Sequence, residues 1–221
     1  MTDMTYTVLD VAPESYSLTP RLSARVGIAT SDDEPIRAIA LRCQVRIEPL
    51  RRNYTDNEAA GLTDLFGPRE RWANTQRTFL WQHSTAMVTG FTNVTEVSMP
   101  LECTYDFEVA GSKYLHALRD GSIPLQFLFS GTVFGTGDGL AVQLVSWESE
   151  ARYDLPVTVW RDLVKLHYPN AGWVRLGHDT VTALAAYKSA RGMLDFDEAI
   201  NTLLADAPQY SVPTSQREEV R

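Results

Sequence analysis

Two long stretches of the sequence alternate between apolar and polar side chains, and this alternation limits what the chain can fold into. In the first, IRAIALRCQVRIEPL at 36–50, the odd positions from 39 to 47 are apolar and the even positions from 42 to 48 are polar. The second, 97–109, repeats the pattern with apolar side chains at every odd position. A period of two residues is typical of a strand with one buried face. We therefore predict two long antiparallel strands whose apolar faces are covered by a second layer.

Shorter alternations, and one run at 123–134 that is apolar on both sides, predict further strands, and three segments between strands have other patterns. The further strands are expected at 4–11, 22–28, 78–88, 123–134 and 140–147. Residues 55–75 have helical spacing, with Thr55 as the N-cap candidate. Residues 111–118 fit either a helical turn or a continuing strand. The glycine cluster at 135–139 favours a hairpin loop over a phosphate loop, because a predicted strand, not a helix, follows it.

After residue 153 the apolar period becomes helical. One helix is expected to start with Asp154 as its cap, a second to run over 179–191, and a third to open at Asp195 and bury Phe196, Ile200, Leu203 and Leu204. The sequence thus predicts an α+β fold. Its parts are an antiparallel β-sandwich over 1–152 with a short helical insertion near 55–75, about three C-terminal helices over 153–206 packed on the sandwich, and a disordered tail over 207–221.

Composition and charge restrict the classes of partner. The formal charge of the 221 residues is -8, which argues against nucleic acid, because phosphate binding needs a surplus of Lys and Arg on one face. The basic run at Arg51 and Arg52 is short, and we interpret it as a solvated strand end. No stretch approaches the ~20 apolar residues of a membrane span, and no secretory leader is visible, so we expect a cytoplasmic protein.

The two cysteines are expected to be buried and reduced. Cys43 and Cys103 both fall on the apolar faces of the predicted long strands, where a thiol behaves as a small hydrophobe. A cross-strand disulfide is the less favoured alternative for a chain that is not exported.

No pattern of catalytic or metal-binding residues is evident in the sequence. The four histidines are not spaced as metal ligands, and no nucleophile–base pair or cofactor loop is present. We therefore expect a protein that is not an enzyme, with no cofactor and no metal site. An enzyme with a scattered site remains the alternative. It would need a deep polar pocket containing at least two of His83, His116, His167 and the acids of the strand around Glu102.

The polar side of the two long strands is the strongest candidate for a binding surface. If these strands are antiparallel neighbours, the first could set its polar side chains opposite the acids of the second. Such a face is either solvated, with ordinary ion pairs, or a recognition face for another protein. The candidate binding residues are Arg42, Gln44, Arg46, Glu102, Asp106 and Glu108.

Five segments of the chain resemble a family of bacterial proteins of unknown function. They are AIALRCQVRIEPLRRNY, LTDLFGPRERW, CTYDFEVAGSKYLHAL, IPLQFLFSGTVF and LPVTVWRDLVKLHYPNAGWVRL. The resemblance extends from about residue 5 to about residue 204. Members of that family are often encoded beside a high-affinity, group 1h-like NiFe hydrogenase and its maturation genes.

This resemblance implies an accessory role and no site residues. It implies a non-catalytic protein that assists the assembly, stability or docking of a NiFe hydrogenase, with the hydrogenase subunits or maturation factors as its protein partners. A general protein-interaction β-sandwich unrelated to hydrogenase is the alternative. Gene neighbourhood is an associational argument, so residue roles have to come from the chain itself.

Overall fold

The computed structural model describes residues 4–31, 33–103, 109–135, 141–169 and 176–207. In chain order its strands are β1 Met4–Pro13, β2 Arg21–Thr30, β3 Ile36–Ile47, β4 Phe79–Phe91, β5 Val94–Glu102, β6 Ser122–Gly135, β7 Val142–Leu144 and β8 Glu150–Pro156. Its α-helices are α1 Asp56–Gly61, α2 Thr63–Phe66, α3 Trp72–Thr75, α4 Val109–Ala117, α5 Val157–His167, α6 His178–Ala190 and α7 Phe196–Ala205.

The strands form two antiparallel sheets, and the predicted α+β sandwich with helices is confirmed. One sheet has three strands in the order β1-β2-β5. The other has five strands, with β3 between β4 and β6, and with β7 and β8 both paired to β6. The two long predicted strands are therefore β3 and β5, and they belong to different sheets.

The core lies between the apolar faces of the two sheets. Every odd-numbered residue of β3 from Ile39 to Ile47 is at most 1% exposed, and Leu22 to Ile28 of β2 are fully buried at alternate positions. Cys43 and Cys103 are buried free thiols, as predicted. For β2 and β3 the alternating pattern thus correctly identified the side of the strand that lies in the core.

A β-bulge at Trp81 changes which residues of β4 face the core. The β3–β4 register shifts between Val45 and Arg46, which leaves Trp81 as the extra residue of β4. After the bulge Ser84 and Val88 are buried. The expectation that Phe79, Trp81, His83, Thr85 and Met87 share one face was therefore wrong beyond Trp81, because one inserted residue reverses the side of all that follow.

The helical insertion packs against α4 around a cluster of aromatic side chains. Thr55 is the N-cap of α1, as predicted, and forms a capping box with Glu58. The hydroxyl groups of Tyr54 and Tyr114 lie 2.8 Å apart, and the rings of Phe66 and Trp72 meet edge to face. Aromatic pairs in such edge contacts add to the burial of their surface.

Two predicted element boundaries were wrong. Val109, expected at the end of a strand, begins α4, which resolves the alternatives left open for 111–118 in favour of a helix. Asp154, expected as a helix cap, lies in β8, and α5 begins at Val157 with Pro156 as its N-cap. In both cases a short apolar period was compatible with strand and helix.

The chain divides into two compact units, Met1–Ala171 and Gly172–Arg221. In the first unit, α5 packs against β1 and β8 and buries Trp160 and Leu163. In the second unit, α6 and α7 contact each other, and Asp195 caps α7 as predicted.

The apolar stripe predicted for α7 is largely exposed. Phe196, Ile200 and Leu203 are 41%, 39% and 43% exposed, and of the described residues of this unit only Ala199 is buried. The glycine-rich positions 136–139 and the predicted tail at 208–221 lie outside the described residues.

Candidate functional site

The outward side of the five-stranded sheet carries side chains in cross-strand rows, and we call it the outer sheet face. Directly opposite residues in antiparallel strands project to the same side of a sheet. Across β4, β3, β6 and β7, two rows follow from the register: Met87, Ala40, Thr132 and Leu144, and next to it Thr89, Ala38, Phe134 and Val142. These two rows form one end of the face.

That end of the outer sheet face exposes large apolar side chains. Met87 is 66% exposed, Val142 49% and Leu144 74%. Between β3 and β4 the surface dips into a shallow depression of about 320 Å³ lined by residues 40–42 and 85–87. Large exposed apolar groups gathered on one face mark contact surfaces more often than isolated ones do.

The predicted residues of β3 occupy the middle and the other end of the same face. Arg42 lies between Thr85 and Ser130, is exposed, and has no hydrogen-bond or ion-pair partner among the described residues. Arg46 donates a 2.9 Å hydrogen bond to the Gln44 side chain. The guanidinium of Arg42 is thus available to a carboxylate supplied from outside.

Beyond Arg46 the polar end continues as a network that is internally paired. Gln126 of β6 donates to Glu150 of β8 at 2.8 Å. Glu48 pairs with Arg51 at 2.9 Å and with Arg152 at 3.3 Å. Because these charges already have partners, we place the contact surface at the apolar end with Arg42 and not here.

Of the three acids predicted to face Arg42, Glu102 lies in the described part of the chain, and it is not beside Arg42. Glu102 is at the end of β5, in the three-stranded sheet, and pairs with Arg21 at 2.6 Å. Asp106 and Glu108 lie outside the described residues. The condition that the two long strands are neighbours is therefore not met, because the chain crosses between the sheets at the turn after β4, where Asn93 has a φ of 68°. As binding residues, all six stay a prediction.

The interpretation of Arg52 as a solvated residue was also wrong. Its side chain is only 9% exposed and pairs with the buried carboxylate of Glu58 at 2.8 Å. It also donates to the backbone carbonyls of Asp120 and Ser122, at 3.0 and 2.9 Å. Glu58 in turn accepts the backbone N–H of Arg119 at 2.7 Å. This pair therefore fixes the turn between α4 and β6.

The electrostatics of Glu58 follow from these contacts. Burial alone would raise its pKa, but the backbone N–H groups of Arg119 and Thr55 and the Arg52 guanidinium outweigh burial, so the pKa of Glu58 is lowered. The carboxylate stays charged and acts as a structural anchor inside the protein.

The histidines do not assemble a site in the described part of the chain. His83 is on the outer sheet face, His116 is on α4 and His167 ends α5. Partial burial lowers the pKa of His116. Among the described residues no group of three His, Cys, Asp or Glu side chains is placed to hold a metal ion. No helix among those residues is both long and apolar enough to cross a membrane.

Comparison with known families places the whole sandwich and the helical region in one family. The model of a family of unknown function, DUF6084, matches residues 1–211. The chain belongs to the DUF6084 family. No curated protein matches this DUF6084 chain.

Solved structures show only distant likenesses to this DUF6084 chain. A putative late embryogenesis abundant protein is 14% identical with a TM-score of 0.35, and the match covers 70% of this chain and 72% of that one. A β-glucosidase from Kluyveromyces marxianus is 12% identical with a TM-score of 0.23, covering 69% of this chain. β-Glucosidase 3B from Thermotoga neapolitana is 11% identical with a TM-score of 0.27, also covering 69%. The chain spans only 15% and 17% of these two glucosidases. Likenesses at these scores carry no argument about function.

Proposed function

We propose that this DUF6084 protein is a non-catalytic protein-binding module whose outer sheet face docks a partner protein. The observation that carries the proposal is the row of Met87, Ala40, Thr132 and Leu144 next to the unpaired Arg42. When a partner covers exposed apolar side chains, removing that surface from water favours binding by roughly 25 cal/mol for each Å² buried. A guanidinium at the edge of that patch fixes orientation by pairing with a carboxylate.

The dimensions of the face set the expected strength of the contact. With strands about 4.8 Å apart and same-side residues about 6.8 Å apart, four strands and the three rows through Ala38, Ala40 and Arg42 cover roughly 400 Å². One side of a standard interface is about 800 Å². The face therefore suits a weak or transient contact with a partner that presents apolar side chains and one carboxylate opposite Arg42.

For the identity of the partner we propose a NiFe hydrogenase subunit or maturation factor in the cytoplasm. Support comes from the resemblance of the five segments to proteins encoded beside such hydrogenases. In this proposal the protein assists assembly, stability or docking, and the redox cofactors belong to the hydrogenase. The alternative is a module with the same docking face and an unrelated protein partner.

A paired set of surface variants tests the docking face. Met87→Glu combined with Leu144→Glu places two carboxylates in the apolar end of the face, whereas Val94→Glu changes a side chain of matching exposure, 67%, on the other sheet. In affinity capture from hydrogenase-expressing cells, we expect wild type and Val94→Glu to recover hydrogenase subunits. We expect the double variant to lose at least nine tenths of that recovery, with an unchanged thermal midpoint.

The other outcomes of these experiments would contradict the docking face or the identity of the partner. Equal recovery of hydrogenase by all three proteins would remove the outer sheet face as the docking site. Recovery of a different protein that the double variant loses would support the alternative partner. A deletion strain with wild-type hydrogen uptake and normal subunit processing would contradict the hydrogenase role.

A further inference from the structure

A small cleft between α4 and α5 is lined by several cationic side chains. Its volume is about 270 Å³, and it lies within the first compact unit. Its lining residues are Leu115, His116, Leu118, Arg119, Trp160, Arg161, Val164, Lys165 and Tyr168. Leu115, Leu118 and Trp160 are at most 4% exposed and form its floor, so the groups that a ligand can reach are mostly the polar ones.

The three cations of this cleft have no carboxylate partner among the described residues. Arg119, Arg161 and Lys165 are all exposed, and no described Asp or Glu forms an ion pair with them. Elsewhere among the described residues seven of the fourteen cations form ion pairs with carboxylates. The paired ones are Arg21, Arg25, Arg51, Arg52, Arg69, Lys113 and Arg152. Like charges that share a cleft without counter-charges repel one another, and an anion relieves that repulsion.

The backbone that carries these cations is held in place. The N–H of Arg119 donates to the buried Glu58 carboxylate, and the carbonyl of Arg119 accepts from the Arg161 guanidinium at 2.9 Å. The N–H of Val157 donates to the Gly121 carbonyl at 2.9 Å, which ties the start of α5 to the same turn. The ring of His116 lies 5.9 Å from that of Trp160, edge to face. A fixed backbone lowers the entropy lost when a ligand binds.

Helix dipoles do not account for the full set of cations. Lys165 lies in the last turn of α5, where a cation compensates the partial negative charge of the helix end. Arg161 lies one turn earlier and bonds to a carbonyl of another element, and Arg119 is not in a helix. The carbonyl ends of α4 and α5 oppose an anion, so an anion in this cleft depends on side chains alone.

We propose that this cleft binds a compact, multiply charged oxyanion, with a small phosphomonoester as the class that fits it best. Three cations match the charge of about −1.5 to −2 of a phosphate group better than the single charge of a carboxylate. Arginine forks bond to phosphate oxygens in pairs, and Arg161 uses one of its five N–H donors within the protein. The volume lies below the 300–1,000 Å³ of sites for drug-sized ligands, which favours a small metabolite over a nucleotide.

A charge-matched pair of variants tests this site independently of the docking face. Arg161→Gln with Lys165→Gln removes two cations from the cleft. Arg37→Gln with Arg77→Gln removes two exposed cations elsewhere in the same unit, which also lack a carboxylate partner among the described residues. Binding of inorganic phosphate, and separately of citrate, is measured by calorimetry on the full chain at low ionic strength. We expect saturable phosphate binding to wild type and the control pair, and at least tenfold weaker binding to the cleft pair.

The other results overturn the proposal in distinct ways. Equal binding by the cleft pair and the control pair would show that phosphate does not use this cleft. No saturable binding of either anion to wild type would remove the site. Citrate binding more than tenfold tighter than phosphate would replace the phosphomonoester with a polycarboxylate. Unchanged thermal midpoints without anion show that the variants are folded.

Discussion

At the scale of single residues, the buried pair of Arg52 and Glu58 shows how a charge can be anchored in the interior of this protein. Removing two charges from water is expensive, and the Coulomb attraction repays it only when the remaining hydrogen bonds are satisfied. Here Glu58 accepts from three backbone N–H groups and Arg52 donates to three backbone carbonyls. The sequence shows a capping pattern at Thr55, but the turn that buries the pair comes from residues about seventy positions away.

Glu58→Ala should lower the free energy of unfolding by about 3 to 5 kcal/mol, because it leaves the Arg52 guanidinium buried without its counter-charge. Urea unfolding at pH 7 measures the change. Asp56→Ala is the control from the same helix turn, since the Asp56 side chain is 97% exposed. A similar loss in both variants would contradict the anchor role of the buried pair.

The pH dependence gives a second readout of the same residue. Because the folded pKa of Glu58 is lowered, its contribution to stability is present above its ordinary value of 4.5 and is lost as the pH falls through the folded pKa. In Glu58→Gln the loss of stability that comes from protonating Glu58 at acidic pH should be absent. If the free energy of unfolding of Glu58→Gln falls with decreasing pH as steeply as that of wild type, Glu58 does not titrate in this way.

At the scale of elements, Gly131 allows β6 to lie directly against β3. Its φ is +150°, and a Cβ atom there would lie 2.2 Å from the Ala40 carbonyl oxygen. Gly131→Ala should therefore lower the free energy of unfolding by about 2 to 4 kcal/mol, through strain and displaced strands. Gly27→Ala in β2 is the matched control, because its Cβ would meet only Leu9 at an ordinary 3.4 Å. Equal effects on the urea midpoint would contradict this account.

The elements also show what a sequence pattern can and cannot predict here. Alternation located the strands with one buried face and the buried side of β3, because burial of one face imposes a period of two, and the apolar run at 123–134 located β6. It did not reveal the bulge at Trp81, since one inserted residue leaves the local composition unchanged.

The cleft joins 115–119 with 160–168, so its cations are adjacent only after α4 and α5 pack. Neither the Arg119 nor the Arg161 neighbourhood differs in sequence from an ordinary solvated surface.

At the scale of the whole molecule, the sandwich separates a stable interior from its two proposed contact surfaces. The core between the sheets is buried, whereas the outer sheet face and the cleft carry exposed apolar side chains or cations that have no carboxylate partner among the described residues. The interior also contains cysteine thiols and tyrosine hydroxyls that burial keeps uncharged. Burial raises the pKa of Cys43, Cys103, Tyr6 and Tyr54 to about 12, and raises that of Tyr114 as well.

These neutral groups predict a protein that loses stability in alkali. Their raised folded pKa values mean that their contribution is complete below the unfolded values of 9.0 for thiols and 10.0 for tyrosines, and is lost as the pH rises toward 12. Above pH 9 each buried thiol lowers the free energy of unfolding by up to about 1.4 kcal/mol per pH unit, because the unfolded chain can ionise and the folded one cannot. We expect the free energy of unfolding, measured in urea, to fall by several kcal/mol between pH 9 and pH 10.5.

Burial of the two thiols predicts their reactivity as well. Ellman's reagent at pH 8 should detect two thiols in urea and almost none in the native protein. Rapid reaction of the native protein would show that the core around Cys43 opens readily.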